Sequence, residues 1–242
     1  STLAAAGGAL IKLGPAAAWP LWARRSGRPA SYLVVAGGLT ALALLPVWRS
    51  VPGIPPGLEA YAVSWEFNGP LFEPLWRGLD AAGADARVKG GLDRLKNVTG
   101  EHEAWNRWYP FVYPRLLAKV LLAALALGVW VRSWFRGAVA PATGELFGGL
   151  LLCSATLYPW YLLWVLPWAA LYRRRAWLWA SLALPFSYLV GLEGMALWPW
   201  LYLGIWAPFL GFALWQGSRE GWGWAWVGEG ESLPPRPGGR RS

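Results

Sequence analysis

RLLAKVLLAALALGVWVRSWF, Arg115 to Phe135, decides how this chain is read. Between Lys119 and Arg132 it carries no charge, and it is long enough to cross a bilayer, which takes roughly 20 residues. A basic pair stands at one end and Arg132 near the other. The same apolar character recurs on both sides. The chain is 56% hydrophobic and only 14% charged, against about 25% charged in an ordinary soluble domain. The expectation is an all-α, polytopic transmembrane helical bundle.

Working outward from that stretch gives seven apolar segments. They run from about Thr2 to Trp22, Ala30 to Trp48, Arg115 to Phe135, Gly144 to Leu157, Pro159 to Tyr172, Trp177 to Leu192 and Leu197 to Trp215. Lysine and arginine orient them, because cytoplasmic loops carry the excess of basic residues. Seven alternating spans put Arg24, Arg25 and Arg28, Arg132 and Arg136, Arg173 to Arg175, and the arginines after residue 217 on one side, the cytoplasm. This accounts for the net charge of +9 without nucleic acid. Loop 50–114 and the hairpins at Tyr158 and Glu193 fall on the other face. The expected location is a bacterial inner membrane, with residues 1–216 forming the membrane domain and 217–242 a disordered cytoplasmic tail. The opening STLAAAGG has no charged leader and reads as the C-terminal portion of a longer protein.

Loop 50–114 holds most of the acidic residues and is too long for a simple connection. Leu71, Phe72, Leu75, Trp76 and Leu79 recur at helical spacing, which predicts an amphipathic helix lying on the membrane, started by Asn68-Gly69-Pro70. Asp85 to Asn97 reads as a charged, solvated stretch containing an Asn97-Val98-Thr99 sequon. Glu66 stands between Trp65 and Phe67, aromatic neighbours that favour a raised pKa and a general-base role; a helix-start carboxylate is the plainer alternative. His102 reads as a solvated loop residue, and one Cys and one His leave no Cys/His metal site to build.

Charges inside spans are few. Lys12, near the middle of the first, costs about 2.5–3.5 kcal/mol to insert and calls for a polar partner such as a phosphate, or for snorkelling. Arg115 and Lys119 lie one turn apart on one face, placed to grip a lipid phosphate or headgroups. TLYPWYLLWVLPW, Thr156 to Trp168, interrupts an apolar run with two prolines and a knot of aromatics, more than a plain anchor needs. Tryptophans near span ends, such as Trp160, Trp168 and Trp198, suit the bilayer interface.

Three stretches resemble the C-terminal half of the C-type integral-membrane glycosyltransferases, specifically family 87, the polyprenyl-phosphate-mannose-dependent mannosyltransferase-like proteins. They are ALIKLGPAAAWPLW (Ala9 to Trp22), YAVSWEFNGPLF (Tyr61 to Phe72) and SATLYPWYLLWVLPW (Ser154 to Trp168). The resemblance implies inverting transfer of a hexose, as in mannosyl transfer, from a polyprenyl-phosphate donor to a lipid or glycan acceptor outside the cytoplasm. For that reaction the residues singled out above become the candidates, Glu66 as catalytic base and Lys12, Asn68, Arg115 and Lys119 as substrate-binding, and the resemblance adds Tyr158, Trp160 and Tyr161 on the substrate side. Many members carry His where this chain has Tyr158, and the family's usual catalytic acid in a first outer loop has no counterpart here. No cofactor is evident; a divalent cation is compatible. A transporter or lipid-translocating protein is the competing class, and a non-catalytic scaffold the third.

Overall fold

The computed structural model describes residues 2–11, 14–50, 53, 65–135, 138–190 and 195–220. Among them the secondary structure is helical, with no strand beyond isolated bridges. Lys12, most of loop 51–64 and the tail from residue 221 lie outside the described residues.

The apolar segments do not all become single rods. The first divides into α1 (Thr2–Ile11), a 3-10 turn and α2 (Trp19–Ala23). The second and third are continuous: α3 (Pro29–Ser50) and, after the loop, Pro114–Trp134. Between those two the loop forms α4 (Phe72–Ala81), α5 (Ala84–Thr99) and α6 (His102–Asn106), so Pro114–Trp134 is α7. The fourth is α8 (Val139–Leu152), and the fifth is a 3-10 turn from Pro159 followed by α9 (Leu166–Leu171). The sixth is α10 (Arg175–Ala183) followed by a 3-10 turn through Pro185, and the seventh is α11 (Trp198–Glu220). Proline supplies no amide hydrogen and clashes with the preceding turn, so short pieces open at Pro159 and Pro167 instead of one helix continuing.

Two described helices, α3 and α7, are long and apolar enough to cross a membrane. α8, at 14 residues, spans only about 21 Å at ~1.5 Å per residue. Seven full spans therefore do not follow from helix lengths. Only 6% of the apolar window of α3 and 17% of that of α7 are buried. A core helix of a soluble domain would bury most of its length, whereas these present Val34, Leu42, Val120 and Leu127 outward.

Three apolar cores hold the helices together. The largest joins the segment after α8 to α9, α10 and α11 through Leu157, Leu162, Val165, Trp177, Leu184 and Phe209. A second sets Leu21 of α2 against Leu146 and Phe147 of α8. Close approach is sequence-encoded at Gly149: a Cβ there would meet a Val129 side-chain carbon at 2.5 Å, so α7 and α8 touch where glycine leaves room. The third core explains the loop helix. Phe72 is fully buried against Ala118 and Leu122 of α7, with Leu75, Trp76 and Leu79 packed around it. The predicted amphipathic helix forms, opening just after Asn68-Gly69-Pro70, but its apolar stripe is covered by α7 rather than lying free on a lipid surface.

α5 buries no residue, in keeping with its charged sequence. The Asn97 sequon ends this helix, where the Thr99 hydroxyl donates to the Leu95 carbonyl at 2.8 Å and accepts from the Trp105 indole at 3.0 Å. His102 is exposed, as expected.

Candidate functional site

Trp65 to Asn68, from the loop, lies against Ala155 to Leu157, from the break between α8 and the Pro159 turn. The Phe67 amide donates to the Ala155 carbonyl at 3.1 Å, and the Leu157 amide donates to the Phe67 carbonyl at 2.8 Å. The Thr156 hydroxyl donates to the Trp65 carbonyl. These bonds satisfy backbone groups on two irregular segments that no helix could serve. The contact is tight because residue 69 is glycine: a Cβ there would sit 2.6 Å from the Ser154 carbonyl oxygen and 2.9 Å from that of Ala155.

Asn68 turns the chain out of this junction. Its φ of 58° lies in the left-handed region, which asparagine tolerates better than most residues. It is fully buried, and its Oδ1 accepts from the Trp206 indole of α11 at 3.0 Å. Its Nδ2 has no hydrogen-bond partner among the described residues. A buried donor left unpaired costs about 1–3 kcal/mol, so this amide is a feature to explain. Tyr202 of α11 donates its hydroxyl to the Pro70 carbonyl, tying the same corner to the last helix.

Glu66 lies between two cations. Its carboxylate accepts from Arg115 and pairs with Lys119 Nζ at 2.9 Å. The two basic residues, one turn apart on α7, converge on one acid as their spacing predicts. The carboxylate is only 11% exposed. Its surroundings are thus set by two cations rather than by the flanking aromatics that the sequence reading emphasised. The Arg115 guanidinium also stacks 4.4 Å over the Trp76 ring, a cation–π contact that fixes its plane.

The residue after this acid, Phe67, belongs to an aromatic stack. Tyr158 stacks on Trp160 at 4.7 Å and on Phe67 at 5.1 Å, and Phe67 stacks in turn on Trp198 at 5.6 Å. Tyr188 joins from the 3-10 turn after α10, while Tyr161 packs inward on Trp164. Trp160, at the outer side of the stack, stays 47% exposed. Trp198, expected at the bilayer interface, is instead buried in this cluster.

Of the residues named from sequence, Glu66, Asn68, Arg115, Lys119, Tyr158, Trp160 and Tyr161 come together around one junction, and Lys12 lies outside the described residues. Sequence reasoning misses Tyr188, Tyr202 and Trp206, whose roles arise from contacts across long separations; Trp206 and Asn68 are 138 positions apart. It also misses Glu145, a buried acid midway along α8 that pairs with Arg132 at 2.9 Å. That one had a signal, since a single acid inside an apolar run needs a partner. Among the described residues no three His, Cys, Asp or Glu side chains gather to hold a metal ion.

No protein-family model, characterised protein or solved structure matches this chain. The resemblance to family 87 rests on the three short stretches quoted above.

Proposed function

We propose that this chain is part of a membrane glycosyltransferase that moves a hexose, with mannose the first candidate, from a polyprenyl-phosphate donor to a lipid or glycan acceptor. The observation that carries the reading is the junction itself. Two stretches that resemble the same family, 90 positions apart from Glu66 to Thr156, meet through backbone hydrogen bonds. Where they meet, a carboxylate, two cations and an aromatic face lie side by side, the functional groups such a transfer needs.

In this reading Arg115 and Lys119 bind the donor phosphate and stabilise the charge that grows on it as the glycosidic bond breaks. The donor phosphodiester competes with Glu66 for the two cations, and the second negative charge that grows on the phosphate as the bond breaks draws them from the carboxylate. The freed carboxylate takes the proton from the acceptor hydroxyl, which then attacks the anomeric carbon from the face opposite the phosphate. The half-exposed ring of Trp160, with Tyr158 stacked on it, suits the C–H face of a hexose. Asn68 holds the Glu66 segment in place, and Lys12 is a further phosphate-side candidate. The proposed topology has seven crossings, loop 50–114 outside the cytoplasm and tail 217–242 inside, in a bacterial plasma membrane. Its support is that arginine-bearing ends meet each other: Arg24 donates to the Trp134 carbonyl, and Arg175 and Arg219 both stack on Trp215.

The test uses the full-length gene product reconstituted in lipid with radiolabelled polyprenyl-phosphate mannose and a glycolipid extract. Wild type is expected to transfer label, and Glu66→Gln to lose transfer at least a hundredfold while keeping its elution profile. Transfer unchanged in Glu66→Gln would remove Glu66 as the base. Movement of labelled lipid across the bilayer without acceptor would instead favour a translocating protein.

A further inference from the structure

At the end of α7 away from Glu66, α1, α2, α8, α9 and the start of α3 line a half-open cavity of about 560 Å³. That is within the roughly 300–1,000 Å³ range of small-molecule sites. Trp22, Arg25, Ser26, Tyr32, Thr143 and Trp168 are among its walls. A second cavity of about 390 Å³ adjoins it and shares Arg25, Val139 and Ala140, with Arg24 on its rim. None of these residues belongs to the junction around Glu66.

The lining has two characters. Arg25, Ser26 and Tyr32 bring a cation and two hydroxyls; Trp168, Val139 and the alanines of α1 bring an apolar wall. The indole of Trp22 is held in place by its bond to the Thr143 hydroxyl at 3.2 Å. Arg24 is occupied with Trp134, by a hydrogen bond to its carbonyl and by its ring. Arg25, exposed at the cavity mouth, is in no ion pair among the described residues, where six ion pairs involve other cations. α8 opens onto the same space at Val139 and Ala140, and no side chain caps its first turn. Tyr32 lies in the first turn of α3, the helix whose apolar residues face outward along most of its length. The cavity therefore sits where the apolar length of α3 begins, the level of lipid headgroups if α3 crosses a bilayer. Basic pockets between membrane helices at that level bind anionic headgroups.

We infer that this cavity is a binding site for one anionic phospholipid, its phosphodiester held by Arg25 and the Tyr32 hydroxyl, and its glycerol and first acyl carbons against Trp168 and Val139. The Ser26 hydroxyl stays on the Ala23 carbonyl at 2.7 Å. The inference rests on α3 spanning a membrane and not on the transfer reaction. A lipid suits the site better than a soluble anion because the apolar wall adjoins the cation directly. The net negative charge discriminates, since a zwitterionic head would bring its own cation toward Arg25.

Native mass spectrometry of the full chain in detergent tests this, with added dioleoyl-phosphatidylglycerol, dioleoyl-phosphatidylcholine or inorganic phosphate. Wild type is expected to retain one phosphatidylglycerol at least fivefold more than phosphatidylcholine. Arg25→Gln should lose that preference, Arg25→Lys should keep most of it, and Arg94→Gln on the exposed face of α5 should change nothing. Equal retention of the two lipids, or full retention by Arg25→Gln, overturns the assignment. Displacement of the lipid by millimolar inorganic phosphate assigns the site to a soluble anion and overturns it also. Resistance of the protein to alkaline extraction from membranes, scored on the same preparation, separates failure of the membrane reading from failure of the lipid site.

Discussion

The two ends of this molecule treat charge in opposite ways. Around Glu66 one acid meets two cations, and packed aromatics with hydrogen-bonded backbone surround them. Around Arg25 a cation lines open space, with hydroxyls and an apolar wall beside it. The first arrangement is self-satisfied and needs a competitor to open it. In the second, Arg25 is in no ion pair among the described residues. The two ends thus differ in whether the chain itself answers the charge.

Removing the packing beneath the closed end should have the largest effect. Phe72→Ala strips the one fully buried side chain that anchors α4 to α7. It is expected to cost about 3–5 kcal/mol, read as a lowered midpoint of thermal unfolding in detergent and as new protease cleavage between residues 70 and 100. A midpoint within one degree of wild type would mean that α4 is held by the membrane rather than by α7.

Gly69→Val comes next. The added carbons collide with two fixed carbonyl oxygens, not with a flexible tip, so about 1–3 kcal/mol is expected from overpacking alone. The sharper readout is hydrogen exchange: the amides of Phe67 and Leu157 should lose protection together, since each bonds across the junction. Independent behaviour would dissolve the junction as a unit.

The pair at the arginine end offers an asymmetry. Glu145 is 5% exposed and Arg132 60%. Arg132→Met removes a charged partner from a buried carboxylate, whereas Glu145→Gln leaves only a solvated arginine behind. The arginine variant should be the less stable by about 1 kcal/mol or more, because breaking a pair costs most when a buried charge remains. Equal unfolding midpoints for the two variants would show that water reaches Glu145.

The smallest effect belongs to the exposed loop. The Tyr109 hydroxyl donates to Asp93 and holds that carboxyl below its usual range, with Lys96 beside it adding in the same direction. A lowered folded-state value means stability that is present above the unfolded value, near 3.8, and is lost as pH falls through the folded one. Tyr109→Phe should lower the hydrogen-exchange protection of α5 at neutral pH, where the contribution is present, and change little below the folded-state value, where it is already lost; the part due to Lys96 should remain. A loss at low pH as large as the loss at neutral pH would assign Tyr109 a packing role instead.

Much of this was legible in the residues. The spacing of Leu71, Phe72, Leu75, Trp76 and Leu79 marked a helix, and the separation of Arg115 from Lys119 put them on one face, because both follow from a fixed helical period. The prolines at positions 159 and 167 marked an interruption, and the structure turns that segment into short pieces; the breaks at Pro15 and Pro185, inside segments read as single spans, went unread. Glu66 could be singled out, but its company could not. Its cations lie 49 and more positions away, and nothing local says that Trp65 to Asn68 will lie on Ala155 to Leu157.

Composition and periodicity alone determined an apolar, helical chain with its basic residues gathered at helix ends, since those properties depend on single residues and on near neighbours. Tertiary structure alone decided that the loop helix packs on α7, that Asn68 meets Trp206, and that one end closes while the other stays open. Side-chain volumes and glycine gaps at distant positions must match for those contacts to form, and no local pattern records that match.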